Sequence, residues 1–558
     1  MRMNWRTVGT MTVLGSGIGL GCGGASEEAP SSVPQEETVE TVETMEQAYL
    51  AAPAQQHVGE SLLDAWPSEL PGYFKESYAA VMAVPLPKVI AKQQTPIFVN
   101  QLEIHRDPTG YIGSFQPSGI TLTSQNAFFQ PLGRNGRTCF TCHQMDSSMG
   151  VSLRNIHKRF ITTLGADPIF AAVDGANCPN QVASKPSKHL FSWLSPIINF
   201  LKSHSLLLGK GLIRIPIPVP ANADFTIEVV SDPTTCNLDP EFNRNANGVR
   251  IVSVFRRPLI SANLNFKTNT VPLGPPSPIT NIMADGREPS LFTQAIDATL
   301  GHAQALVPPT QAQLDEIVAF ETNIFSAQLY DDKVGLLDAA GATGGPIIFS
   351  THGNDAPGFG GAAFDEFNAW ETVTGMSAAQ RQAIARGQKL FHGQGGADGT
   401  RGTFTVSNVA GFNDAINAPA VPGSCATCHN FQHAGSDIFA AAQRDIGTGG
   451  HGVAIGGPAL AKDLPIFKVT CPPGSFLWDP NLTTVLTNDP AKALITGRCR
   501  DIGSKTVPSL RGLASHEPFF IDGSAATLLD LVNVYNARFS IGFTEAEKRD
   551  LVAFLNAL

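Results

Sequence analysis

The stretch Cys139-Phe-Thr-Cys142-His143 constrains this chain more than any other, and it recurs as Cys425-Ala-Thr-Cys428-His429. Two thiols three positions apart share one face of a helical turn. From there both can add across the two vinyl groups of one porphyrin, and the adjacent histidine can turn a ring nitrogen to the iron. C-x-x-C-H is thus the attachment pattern of a c-type haem. With 9 Cys and 13 His in 558 residues, one such pattern arises by chance roughly 0.003 times, so two are not accidental. A redox CxxC pair or half of a zinc site is the competing reading. Zinc needs four ligands and usually a second CxxC close by, whereas these copies are 286 residues apart. The sequence therefore predicts two covalently bound haem c groups, held by Cys139, Cys142, Cys425 and Cys428, with His143 and His429 as proximal iron ligands.

The other cysteines point to an oxidising compartment. Cys22 lies in the leader. Cys178 and Cys236 follow the first motif, and Cys471 and Cys499 follow the second. This pattern predicts disulfides Cys178–Cys236 and Cys471–Cys499; four unpaired buried thiols are the alternative. Residues 1–22 read as an export signal, with Arg2 and Arg6 ahead of an apolar stretch. Leu20-Gly-Cys22 resembles a bacterial lipobox whose Cys22 is acylated. It departs from the usual pattern at Gly19 and by the late position of Leu20, and an ordinary secretory signal is the alternative. Residues 23–50 are acidic and repetitive, as a disordered tether would be. The expected location is the periplasm or the outer-membrane surface, with the lipid anchor as the only membrane contact. The apolar region from Leu190 to Val219 is broken by Lys202, Lys210, Arg214 and prolines, so it does not read as a membrane span. A net charge of −10 argues against a nucleic-acid partner.

Coarse patterning divides the rest. Residues 51–335 form a first haem domain, 336–376 a connection rich in Gly, Ala and Asp, and 377–558 a second haem domain. Helical spacing is seen over 58–84, 188–206 and 310–330. Alternation predicts strands at 212–219, 225–231 and 249–255, a small β-rich insertion near 210–256. The last helix starts at Thr544 with Glu547 completing a capping box, and Leu551, Val552, Leu555 and Leu558 form its apolar stripe. The expected fold is mainly α: two cytochrome c-like haem domains plus that insertion.

Two further stretches carry a family resemblance. Val507-Pro-Ser-Leu-Arg-Gly-Leu-Ala runs on to Glu517-Pro-Phe-Phe-Ile-Asp-Gly-Ser-Ala-Ala-Thr-Leu528, and Asp285-Gly-Arg287 is followed by Leu291 and Gln294. With the two C-x-x-C-H motifs they resemble the bacterial di-haem cytochrome c peroxidase family, in particular its MauG-like branch. The resemblance covers both haem domains but not the first 50 residues or the β-rich insertion. It implies that the N-terminal haem reacts with hydrogen peroxide or another small oxidant. The C-terminal haem would pass or store electrons from a donor, a small redox protein or a protein substrate. Gln294 matches the family's distal glutamine. The family's catalytic glutamate falls on Gln304, an amide that cannot shuttle a proton; His302 could take that role, or be a packing histidine. The family's distal histidine ligand has no clear match, and His157 is the candidate offered for it. The bridging aromatic position is Ala284, and the histidine of the family's HDG segment is Ile521.

The family's sixth ligand to the second haem falls, by spacing, on Tyr535. No Met follows Met376 and no other Tyr follows Tyr330, so a methionine ligand is excluded there. The alternative for Tyr535 is a core aromatic whose hydroxyl finds another partner. A calcium ion between the domains is also implied, with no assignable ligands. The resulting expectation is a peroxide-using di-haem oxidoreductase. The rivals are a non-enzymatic di-haem electron carrier and a di-haem oxygenase acting on an apolar substrate.

Overall fold

The computed structural model describes residue 90, residues 95–178 and residues 195–558, apart from 237, 239–242, 246, 269–281, 353–362, 440–442, 449–456 and 477–478. The leader with Cys22, the acidic stretch 23–50 and the helical spacing at 58–84 lie outside the described residues. Within them, no helix is long and apolar enough to cross a membrane.

The mainly α expectation is corrected: fifteen short strands in six antiparallel sheets share the described chain with its helices. Helical spacing over 310–330 is one source of the error. The helix Gln311–Asn323 stops there, and Phe325–Asp331 is a strand. Phe325-Ser-Ala-Gln-Leu-Tyr-Asp can be read with either period. Pairing decides it, because this strand lies against Gly110–Phe115 in a four-stranded sheet with Leu102–Arg106 and Gly335–Leu336. Ile324, Ala327 and Gln328 are wholly buried by it.

The three predicted strands of the insertion form at Ile213–Pro218, Thr226–Ser231 and Ile251–Arg256. They do not stand alone. Thr226–Ser231 pairs with Ile466–Thr470, which pairs in turn with Thr484–Thr487. Ile217, Phe225 and Val254 therefore share one core with Phe467, Val469 and Leu494. The β-rich part is built from two stretches more than 200 residues apart in sequence. Disulfides join Cys178 to Cys236 and Cys471 to Cys499, the latter inside this core.

Each motif has its own aromatic backing. Phe128, Phe129, Phe140 and Phe320 pack beside the first. Phe364, Phe367, Trp370, Phe391 and Phe554 pack beside the second. There the helices Ala378–Phe391 and Glu545–Asn556 cross at Gly387, where an added Cβ would sit 2.1 Å from the Asp550 carbonyl oxygen. Glycine is required at that close approach.

Candidate functional site

The two motifs fold into the same short turn. Thr138 caps Cys139–Thr141, with its N–H donating to Thr141 Oγ1 at 3.0 Å. Ser424 caps Cys425–Thr427 in the same way, at 2.8 Å. The hydroxyls satisfy donors that so short a turn leaves open. Cys139, Cys142, Cys425 and Cys428 are unpaired and half-buried. His143 Nδ1 lies 2.9 Å from the carbonyl oxygen of Met149, and His429 Nδ1 lies 2.7 Å from that of Gly435. Both acceptors are six residues on. An Nδ1–H fixed on a backbone carbonyl sets the tautomer and leaves Nε2 as the lone-pair nitrogen. Burial pushes both imidazoles down to about 4, so they are neutral at pH 7. Two unpaired thiols and one neutral imidazole nitrogen at each turn match what a c-type haem requires.

One cavity of about 480 Å³ is lined by both triads. Between them its wall is largely apolar, with Ile213, Ile215, Leu264 and Leu291 among the lining side chains. The helix Leu291–Gly301, capped by Ser290, presents Gln294 to the cavity and ends at His302, which also lines it. His302 Nδ1 donates to Asp174 Oδ2 at 2.6 Å. Asp174 is also paired with the buried Arg137. Burial pushes Asp174 up, but Arg137 and His302 outweigh it and hold the carboxyl below the usual carboxylate range. The pair orients the imidazole and leaves its Nε2 unclaimed by Asp174.

Gln304 is not brought to this wall. It is buried behind it at φ 54°, where its side-chain oxygen accepts from Asn135 at 3.3 Å. The helix has ended by then, with the Ala303 and Ala305 N–H groups donating back to the Ala298 and Thr299 carbonyls, an ending that spacing alone could not register. His157 is exposed, and its Nε2 lies 2.7 Å from the Leu208 carbonyl oxygen, away from the cavity. Tyr535, on the helix Leu528–Arg538, lines the cavity with Cys425 and Cys428. Burial, then the charges of those two thiols, push its phenol well above the usual tyrosine range. Ala284 and Ile521 also line the cavity.

Sequence reasoning passed over Glu321. It lines the cavity, is 4% exposed, and its Oε2 has no hydrogen-bond partner. Burial alone pushes its carboxyl up to about 8. A signal was present: Leu314, Ile317 and Glu321 lie on one helical stripe, so a carboxyl occupies a core position. The Asp174–His302 pair carried no such signal, because 128 residues separate its members.

No family model and no curated protein significantly matches the chain. Among solved structures it is matched to a MauG-like protein associated with microbial copper homeostasis. The identity is 17% over 56% of this chain and 77% of that one, with a TM-score of 0.27.

Proposed function

We propose that the chain carries two covalently attached haem c groups and works as a peroxide-using oxidoreductase, as its resemblance to the di-haem cytochrome c peroxidase family implies. One observation carries the reading. Two C-x-x-C-H turns of matching geometry open on one cavity, each with its histidine Nδ1 held on a carbonyl six residues on. Cys139, Cys142 and His143 would hold the first group, and Cys425, Cys428 and His429 the second. When bound, such groups supply one-electron redox chemistry and an iron that reacts with peroxide.

The chain's own residues supply the rest. His302, pinned at Nδ1 by Asp174, holds or moves a proton at Nε2, the task that an amide at 304 cannot perform. Gln294 offers an amide hydrogen bond on the same helix. Tyr535 offers a phenol oxygen at the second motif's end of the cavity; as a ligand it would favour the ferric state. The electron donor would be a small redox protein or a protein substrate. The same reading takes 51–335 and 377–558 as the two haem domains, and an exported chain anchored through Cys22.

The test is the absorption and EPR spectrum of the purified ferric protein, before and after peroxide. One high-spin and one low-spin haem, with the high-spin signal changing on peroxide, is the expected result. Tyr535→Phe is expected to alter the low-spin signal and leave the high-spin one in place. Two low-spin haems indifferent to peroxide would leave an electron carrier, and a chain with no covalent haem would sink both readings.

A further inference from the structure

Away from the cavity wall, a second cluster of donors surrounds the loop that follows His429. Asp365, Glu366 and His433 each bring one donor atom within 4.8 Å of the other two. Glu366 and His433 are buried, and Asp365 is exposed beside them. His433 is held firmly. Its N–H donates to the Ala363 carbonyl at 2.7 Å, its own carbonyl accepts from Arg511 Nε at 2.5 Å, and His352 stacks on its ring at 3.8 Å between centroids.

Three features of this cluster point to a cation. His433 Nδ1 stands 3.6 Å from Glu366 Oε1, long for a hydrogen bond. That spacing is close to the edge of about 3.4 Å between neighbouring ligands when a tetrahedral ion has bonds of about 2.1 Å. The second oxygen of Glu366, Oε2, is buried with no hydrogen-bond partner, although the residue is only 4% exposed. An orphaned carboxylate oxygen at such a depth calls for a partner. Finally, Arg511 pairs with Glu366 but offsets only one of the two carboxylates, so the cluster keeps a negative charge.

We propose that Asp365, Glu366 and His433 bind a divalent transition-metal ion of the zinc class. One imidazole and two carboxylates suit zinc, whereas calcium takes six to eight oxygens. Glu366 and His433 supply the fixed half of the site. The exposed Asp365 closes it from the solvent side, and water completes the coordination. The loop that carries His433 also carries Gly435, whose carbonyl holds His429 Nδ1. A bound ion therefore stiffens the segment that orients His429.

The full-length protein as purified is dialysed against a chelator and titrated with Zn²⁺ by calorimetry. One saturable site per chain is expected, weakened by about tenfold or more in Asp365→Asn and in His433→Gln. Asp365→Asn changes an exposed side chain, so it remains informative if His433→Gln fails to fold. The absence of a one-to-one isotherm, or one that Asp365→Asn leaves unchanged, overturns the proposal.

Discussion

Glu321 puts a carboxyl where the stripe of its helix would take an aliphatic side chain. Its proton is held up to about 8 in the folded chain against an ordinary 4.5, with burial as the cause. The folded state thus binds more protons than the unfolded one between those values, so its stability falls as pH rises through that window. Glu321→Gln removes the effect. The variant should melt close to the parent at pH 4.5 and gain on it steadily towards pH 9, by an amount on the order of 1 kcal/mol or more. Thermal midpoints of both proteins across that range check it; a pH-independent difference would show that the carboxyl does not titrate there. Gln304 gives the opposite lesson. The sequence resemblance alone would put it in the site, yet its side-chain oxygen accepts from Asn135 behind the wall.

At the scale of single elements, the last helix shows how far local chemistry reaches. Thr544 Oγ1 accepts from Glu547 N–H at 3.3 Å, and Glu547 Oε2 accepts from Thr544 N–H at 2.7 Å. This closes the box that the T-x-x-E spacing predicts. Thr544→Ala should cost about 1 kcal/mol, read as a lower midpoint in denaturant. Glu547 also pairs with Arg401 at 2.6 Å, so the loss should grow when Glu547 is replaced as well. The segment 310–330 marks the limit of such reading. Its first part is amphipathic and stays helical, and its second becomes a strand because Gly110–Phe115 offers an open edge.

At the scale of the whole molecule, Arg256 ties together parts that are distant in sequence. It ends the strand Ile251–Arg256 and donates to Asp285 at 2.6 Å and to Asp489 at 2.7 Å and 2.9 Å. Arg287 shares Asp285 and reaches Asp297. All of this lies at or below one-fifth exposure, with Arg256 at 1%. Removing one member leaves uncompensated buried charge. Arg256→Leu should destabilise by about 3–5 kcal/mol, seen as a large fall in the melting midpoint. A drop no greater than that of a surface variant would mean that Asp285 and Asp489 find other partners. The Asp-Gly-Arg stretch thus has a packing role of its own.

The sequence by itself determined what rests on neighbours a few residues apart. The C-x-x-C-H turns and the box at Thr544 have their partners within local reach, so spacing and residue type suffice, and alternation alone marked the three insertion strands, though not what they pair with. Tertiary structure alone decided what rests on distant partners. The strand Thr226–Ser231 met Ile466–Thr470 across more than 200 residues, and a helical run turned into a strand. His302 found Asp174, Glu321 came to the cavity, and Gln304 left it. The physical reason is common to these cases. Helical and alternating periods report which face of an element is apolar, whereas its partner is set by pairing edges and buried charges that no local window contains.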